Sequence, residues 1–489
     1  MGATAPARVE VKNASWAKSW GGVESAGIVE TTTYDDGSTV VCGTLRGTVV
    51  FGASEPGATT LTSNGGQDLY VARFRADGTL QWARSMGGTA HDWISGLAPH
   101  PDGGFVITGS YTTSIEFGVG ESTYTRLQAT SAGQDRFVAR FGQNGNLLWV
   151  KNRGGKNPGD EDRGGPIAVF PDGSIIAWGA AQDRSVPPLS TMRGTLERFD
   201  ADGDEVWTKE WSEYGQYWRP AFAHLRVLDD GGFLGVIHFT GTVTFGAGTP
   251  DETSFTAGSA TNNDLLICAF DGDGDLRWGK HIRGSTGRVR ASGIDLFEDE
   301  SFVVAGSFPD TVTFGAGEAG ELQRTSQGGF DGFLAWFDAD GDFRRVRTVG
   351  SPVGPPGGVV GEGDDWGADV AVLADGSCVL HASVWGNVTI EDTAAPTVLP
   401  LGYANMNVLS ARFDAVGTLR WTRTDAKAAA AGWLTAGRIE ALPDGSCVCA
   451  GHLQGAVVLG AGEASPVALN GPVFGAHPYL TRINADGGY

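Results

Sequence analysis

Short runs in which apolar residues, many of them β-branched or aromatic, alternate with polar ones are separated along this chain by Asp-Gly pairs and glycine-rich loops, the pattern of half-buried strands joined by tight turns. One phrase recurs throughout. An apolar segment leads to an Asp-Gly turn, then to a β-branched strand ending in Gly. A long glycine-rich loop follows, then a strand ending in Arg-Phe, a second Asp-Gly turn and a strand bearing Trp. The cleanest copy runs from SGLAPHPDGGFVITGSY (95–111) through DRFVARFGQNGNLLWVKNRGG (135–155).

The first turn of the phrase falls at Asp36, Asp102, Asp172, Asp230, Asp299, Asp375 and Asp444; each is followed by Gly except Asp299, which precedes Glu300. Every copy holds four strand-like runs, and Asp-Gly between alternating runs is a strong hairpin signal. Four strands repeated seven times predict an all-β, seven-bladed β-propeller with four antiparallel strands per blade, because each blade can bury its apolar faces only against its neighbours. The shortest step, Asp172 to Asp230, belongs to the third copy, which lacks the Phe-Gly-x-Gly loop of its sisters.

The outer strand is marked by Trp82, Trp149, Trp207, Trp278 and Trp421, with Arg345 in the fifth copy. The seventh copy, YLTRINADGGY (479–489), stops where its Trp strand should begin. A matching fragment stands at the other end: SWAKSWGG (15–22) aligns with QWARSMGG (81–88), placing Trp16 on Trp82. The expectation is a ring closed by the N-terminal strand, which removes an open sheet edge. The domain reading is a leader at 1–12 and a single propeller over 13–489, with 13–22 belonging to the last blade.

The phrase carried by residues 95–155 resembles the bacterial seven-bladed propeller repeat called SBBP, and the resemblance covers 13–489. It implies a propeller of bacterial, often surface-associated or secreted, proteins. It implies no particular enzyme and carries over no catalytic residue. Glu300, Arg345 and the shortened third copy depart from the pattern without threatening the fold.

Composition narrows the partners. Glycine at 76 of 489 residues together with 41% hydrophobic residues fits many short strands and tight turns around an ample core. A formal charge of −22 repels phosphate backbones and anionic lipid, so neither nucleic acid nor an anionic membrane surface is an expected partner. No 18-residue apolar run offers a membrane-spanning helix, and 1–12 lacks the apolar core of a signal peptide. A monomer is expected, secreted or at the cell surface by the resemblance, with the cytoplasm left open. The cysteines number five, so they cannot all pair within the chain. Cys42, Cys447 and Cys449 read as small core residues of strands.

Several motifs suggest chemistry, and each has a structural reading. GAGEAG (315–320) matches a dinucleotide fingerprint, but sister copies read FGVGES and FGAGTP, so a glycine loop between strands is the better account. Asp200-x-Asp202-x-Asp204, Asp271-x-Asp273-x-Asp275 and Asp338-x-Asp340-x-Asp342 could wrap calcium, yet they lack the sixth-position glycine and distal acid of such loops and read as turns. No histidine or cysteine cluster has metal spacing and no nucleophile elbow is present, so no metal, cofactor or catalytic residue is expected.

The loops entering each innermost strand are more informative. Counting nine residues back from the turn Asp gives Trp93, Arg163, Arg290 and Trp366, and Trp218 and Trp433 hold similar places in copies with insertions. Variable loops on a rigid scaffold are where recognition usually lives, and Trp and Arg dominate binding hot spots. The alternative is that these side chains wedge between blades. The expected function is non-catalytic recognition of a protein or glycan through this inner-loop face, with acids such as Asp160 and Asp162 selecting polarity. The rivals are a carbohydrate-active enzyme using Asp92, Asp364 or Asp365, and a structural spacer in a surface assembly.

Overall fold

The computed structural model describes residues 16–22, 25–130, 133–154, 161–183, 191–212, 221–258, 263–286, 288–352, 365–391, 396–401, 406–425, 433–460, 466–471 and 476–488. These residues form β-strands, bridges and turns, with no helix among them.

The strands pair antiparallel in four-stranded units. The first unit takes Ala26–Thr33, Thr39–Leu45, Asp68–Phe74 and Leu80–Met86, in that spatial order. Later units begin at Asp92, Glu161, Ala221, Arg290, Trp366 and Trp433 and repeat the order. In the last of them the fourth place is taken by Ala17–Ser19, whose register sets Ala17 against Thr481 and Ser19 against Tyr479. The first strand of each unit packs against the first strand of the next, and Trp433–Ala441 packs back against Ala26–Thr33.

Local chemistry explains the turns. Asp36 accepts the backbone N–H of Ser38 at 2.9 Å, and Gly37 takes φ +77, a conformation that costs glycine little. Asp172, Asp375 and Asp444 hold Ser174, Ser377 and Ser446 in the same way. Glu300 adopts φ +61 without being glycine, and its carboxylate accepts the N–H of Asp229 in the preceding unit at 2.8 Å.

Between the second and third strands most units extend a further hairpin, such as Ser114–Phe117 with Thr125–Gln128. The third unit has no such hairpin among its described residues; its two strands stay paired out to Asp183 and Thr191.

The core lies within and between units. Second and third strands are buried on both faces, as in Asp68–Phe74, whereas outer strands such as Leu80–Met86 are partly exposed. Trp82 stacks on Phe105 of the next unit at 6.0 Å, and Phe105 stacks on Phe141 at 5.1 Å. All five cysteines are buried and unpaired, so the core reading of Cys42, Cys447 and Cys449 agrees with their placement.

Each outer-strand Trp also lies against the glycine of the second turn in the following unit: Trp82 on Gly145, Trp149 on Gly203, Trp207 on Gly274, Trp278 on Gly341 and Trp421 on Gly487. Trp16 covers Gly78 in the same manner, and Arg345 substitutes over Gly417.

Candidate binding site

The residues singled out at the heads of the first strands sit in comparable places. Arg290, Trp366 and Trp433 are the first residues of their strands, Trp93 the second and Arg163 the third. Arg163 and Arg290 are exposed, and Trp93 and Trp433 are half-buried. Trp366 is 46% exposed, its ring meeting Phe330 edge-on at 6.3 Å. Trp93 lies 6.0 Å from the ring of His91, and Arg163 pairs with Glu161 at 3.3 Å. Trp218 lies outside the described residues, as do Asp160 and Asp364.

The acids near this ring have a different role from the one expected of them. Asp92 is fully buried, and its Oδ2 accepts the N–H of Gly88 at 2.9 Å. Asp365, also fully buried, accepts the Trp385 N–H at 2.7 Å and the Ser351 hydroxyl at 2.6 Å. Asp162 occupies the equivalent position and is likewise buried. Asp92 and Asp365 thus staple loops to strand heads, where they satisfy backbone donors that would otherwise be lost inside the protein. Burial raises the Asp92 carboxyl to about 7.

The D-x-D-x-D loops are turns with a second attachment. Asp200 Oδ1 accepts the N–H groups of Asp202 and Asp204, and Asp204 meets Lys151 of the preceding unit at 2.9 Å. Asp275 pairs with Lys209 at 2.8 Å and Asp342 with Lys280 at 2.6 Å. GAGEAG closes a hairpin between Phe302–Phe314 and Leu322–Phe337, and Glu321 takes the Gly317 N–H that a phosphate would need.

A feature absent from the sequence reading lies farther along the same first strands. They enclose a cavity of about 260 Å³, to which every one of them contributes. Each carries a register irregularity just before this region, for instance between Ile28 and Glu30 and between Gly367 and Asp369. Such bulges add a residue to one strand and re-aim the side chains that follow.

The lining divides into two walls. Gly96, Ala98, Pro166 and Ala168 form a small, uncharged one. Glu30, Arg226, Asp295, Asp369, Arg438 and Glu440 form a charged one. Arg438 donates to Glu30 at 2.5 Å and to the Ser292 carbonyl at 3.2 Å, while Arg226 faces Asp295 at 3.5 Å. Asp369 accepts the N–H groups of Val370 at 2.9 Å and Ile439 at 3.1 Å. Burial raises Asp369 to about 7 and pushes Glu440 well above the usual carboxylate range. Burial opposes the charge on Arg438, but Glu30 and Asp369 outweigh it. His224, half-buried, is held well below its usual value by desolvation and by the charges of Arg438 and Arg226. None of Trp93, Arg163, Arg290, Trp366 or Trp433 lines this cavity. The signal that could have revealed it is a set of charges four and six residues before the turn Asp, where sister copies carry Gly, Ala, Pro, Thr or His.

No protein-family model matches the sequence, and no curated protein resembles it. Among solved structures, YCF48 bound to D1 peptide aligns at 9% identity over 97% of this chain and 96% of that one, with a TM-score of 0.38. A Synechocystis apocarotenoid oxygenase variant aligns at 11% identity over 95% and 96%, TM-score 0.38. A Dyadobacter fermentans protein of unknown function aligns at 14% over 79% and 94%, TM-score 0.37.

Proposed function

We propose that the four-stranded units are the blades of a seven-bladed β-propeller of SBBP type spanning 13–489, and that it is a non-catalytic binding scaffold. The ring reading rests on the pairing of Ala17–Ser19 with His477–Ile483 and on the cyclic packing of the first strands. Its ligand is a protein or glycan, engaged at the heads of those strands by Trp93, Arg163, Arg290, Trp366 and Trp433, with Trp218 in the third-to-fourth loop. The scaffold acts as a monomer, secreted or at the cell surface.

The exposure of Trp366 carries this reading. Among the described residues it is the one tryptophan counted with the exposed large apolar side chains. Each described outer-strand Trp, by contrast, is at least half-buried against a neighbouring turn. An indole left in water at a loop-strand junction has surface to offer a partner, whether an apolar protein side chain or the face of a sugar.

The test is the double variant Trp93→Ala, Trp366→Ala on a glycan array and in protein pull-downs. Loss of capture is expected, since each well-packed hot spot contributes about 2 kcal/mol or more. Unchanged capture by the folded variant would place the active surface elsewhere, with the long outer loops 114–134 and 244–263 next in line.

A further inference from the structure

We propose that the cavity enclosed by the first strands is a binding site for a small primary alkylammonium, distinct from the strand-head surface.

The lining holds more carboxyls than guanidiniums. Glu30, Asp295, Asp369 and Glu440 bring four carboxyls, against the two guanidiniums of Arg226 and Arg438. Each arginine makes its ion-pair contact with one acid, Arg438 with Glu30 and Arg226 with Asp295. That leaves Asp369 and Glu440 on neighbouring strands without a cationic partner at ion-pair distance. Among the described residues Asp369 accepts only backbone N–H groups, and the Glu440 side chain has no hydrogen bond or ion pair, only the more distant charge of Arg226. Withdrawn from bulk water without a counter-charge at contact distance, these carboxyls favour the protonated form, and an arriving cation favours their ionisation.

The shape selects the kind of cation. No group of three His, Cys, Asp or Glu side chains converges closely enough for a metal ion among the described residues. An ammonium needs less, since its three N–H donors can be shared between two carboxyls and a carbonyl or water. Facing the charged wall is the uncharged one of Gly96, Ala98, Pro166 and Ala168, against which an alkyl chain loses apolar surface to water. The volume of about 260 Å³ is that of roughly eight waters at ~30 Å³ each, enough for a chain of about six carbons. Entry is from the first-turn side. There the cavity shares Pro99, Val169 and Val227 with a second, open cavity of about 520 Å³ that reaches Asp36 and Gly103.

Calorimetric titration of the full chain with n-hexylammonium tests this, with n-hexanol and hexanoate as isosteric controls. The expected result is binding of the ammonium, with both controls at least about tenfold weaker, because each lacks the charge-assisted contact. Binding should release protons, read as a dependence of the heat on the ionisation enthalpy of the buffer. Glu440→Gln, which keeps the shape, should weaken hexylammonium at least about tenfold and leave the melting temperature equal or higher. Equal binding of hexanol, no saturable heat with the ammonium, or wild-type affinity in Glu440→Gln would each overturn the site. Capture at the strand-head surface should be unaffected by Glu440→Gln, so failure here and failure of the strand-head reading are separable.

Discussion

The indole N–H of Trp16 donates to the carbonyl of Ala76 at 2.9 Å, and its ring lies where a Cβ on Gly78 would have to go. One contact thus ties the strand beside Thr481 to the second turn of the first unit. The same contact joins Trp82 to Gln143 at 3.2 Å and Trp421 to Ala485 at 3.2 Å. Trp16→Ala is expected to cost about 3–5 kcal/mol as a buried large-to-small change. Gly78→Ala should cost about 1–3 kcal/mol, because φ is +77 and the ring blocks the methyl group. Denaturant titration of both variants measures this; wild-type midpoints would show that the contact contributes nothing.

Removal of residues 16–22 should expose the edge of His477–Ile483, with a lower melting temperature and aggregation. Light scattering during a thermal ramp reads both. A monomeric deletion variant melting with the parent would refute the closing role of the segment.

In the fifth unit Arg345 sits over Gly417, where the other units place Trp. Arg345→Trp is expected to stabilise the protein by about 1 kcal/mol, by burying an aromatic ring between units. A falling melting temperature would show that this junction is shaped for the guanidinium.

Chelator should leave stability unchanged. The first aspartates of the D-x-D-x-D loops, Asp200, Asp271 and Asp338, already accept backbone N–H groups, and Asp204, Asp275 and Asp342 are each paired with a lysine. A drop in melting temperature with EGTA, restored by Ca²⁺, would contradict the turn assignment. A native-state metal at a hundredfold excess over Kd adds about 2.7 kcal/mol, which such a ramp detects easily.

Burial raises the Asp331 carboxyl from 3.8 to about 7, with the charge of Asp365 adding to the shift. A raised carboxyl holds its proton in the folded protein while the unfolded chain has released it. Its contribution to stability therefore declines as pH rises from about 4 to about 7, then levels off. Asp331→Asn removes that slope. The stability difference between variant and parent should shift steadily toward the variant across this window; parallel pH profiles would refute the assignment.

Much of this molecule can be read from its sequence because the determinants of its units are local and repeated. The turn aspartates, the glycines after them and the outer-strand tryptophans stand at fixed places, and each acts on residues a few positions away or one unit along. The fragment 15–22 was legible for the same reason, as a displaced copy of 81–88. The cavity was not, because its walls are not repeated. Glu30, Arg226, Asp295, Asp369, Arg438 and Glu440 are spread over five units, and the residue type at their shared positions before the turn Asp changes from copy to copy. The bulge in each first strand hides them further, since it breaks the two-residue period that would assign these side chains to one face. Asp92 and Asp365 misled for a related reason. An acid beside an exposed Trp looks available in sequence, and only the backbone donors of Gly88 and Trp385 show that it is spent on the fold.

The antiparallel register of Ala17–Ser19 on Thr481–Tyr479 has a mechanical consequence. The chain leaves Ala17 toward Trp16 and leaves Thr481 toward Ile483 at the same end of that ladder. Tension applied between those two points would peel the backbone bonds apart one after another instead of shearing them together. The contact that holds the two ends of the described fold together is therefore the one that yields first under load, and the remaining units would stay folded while it opens.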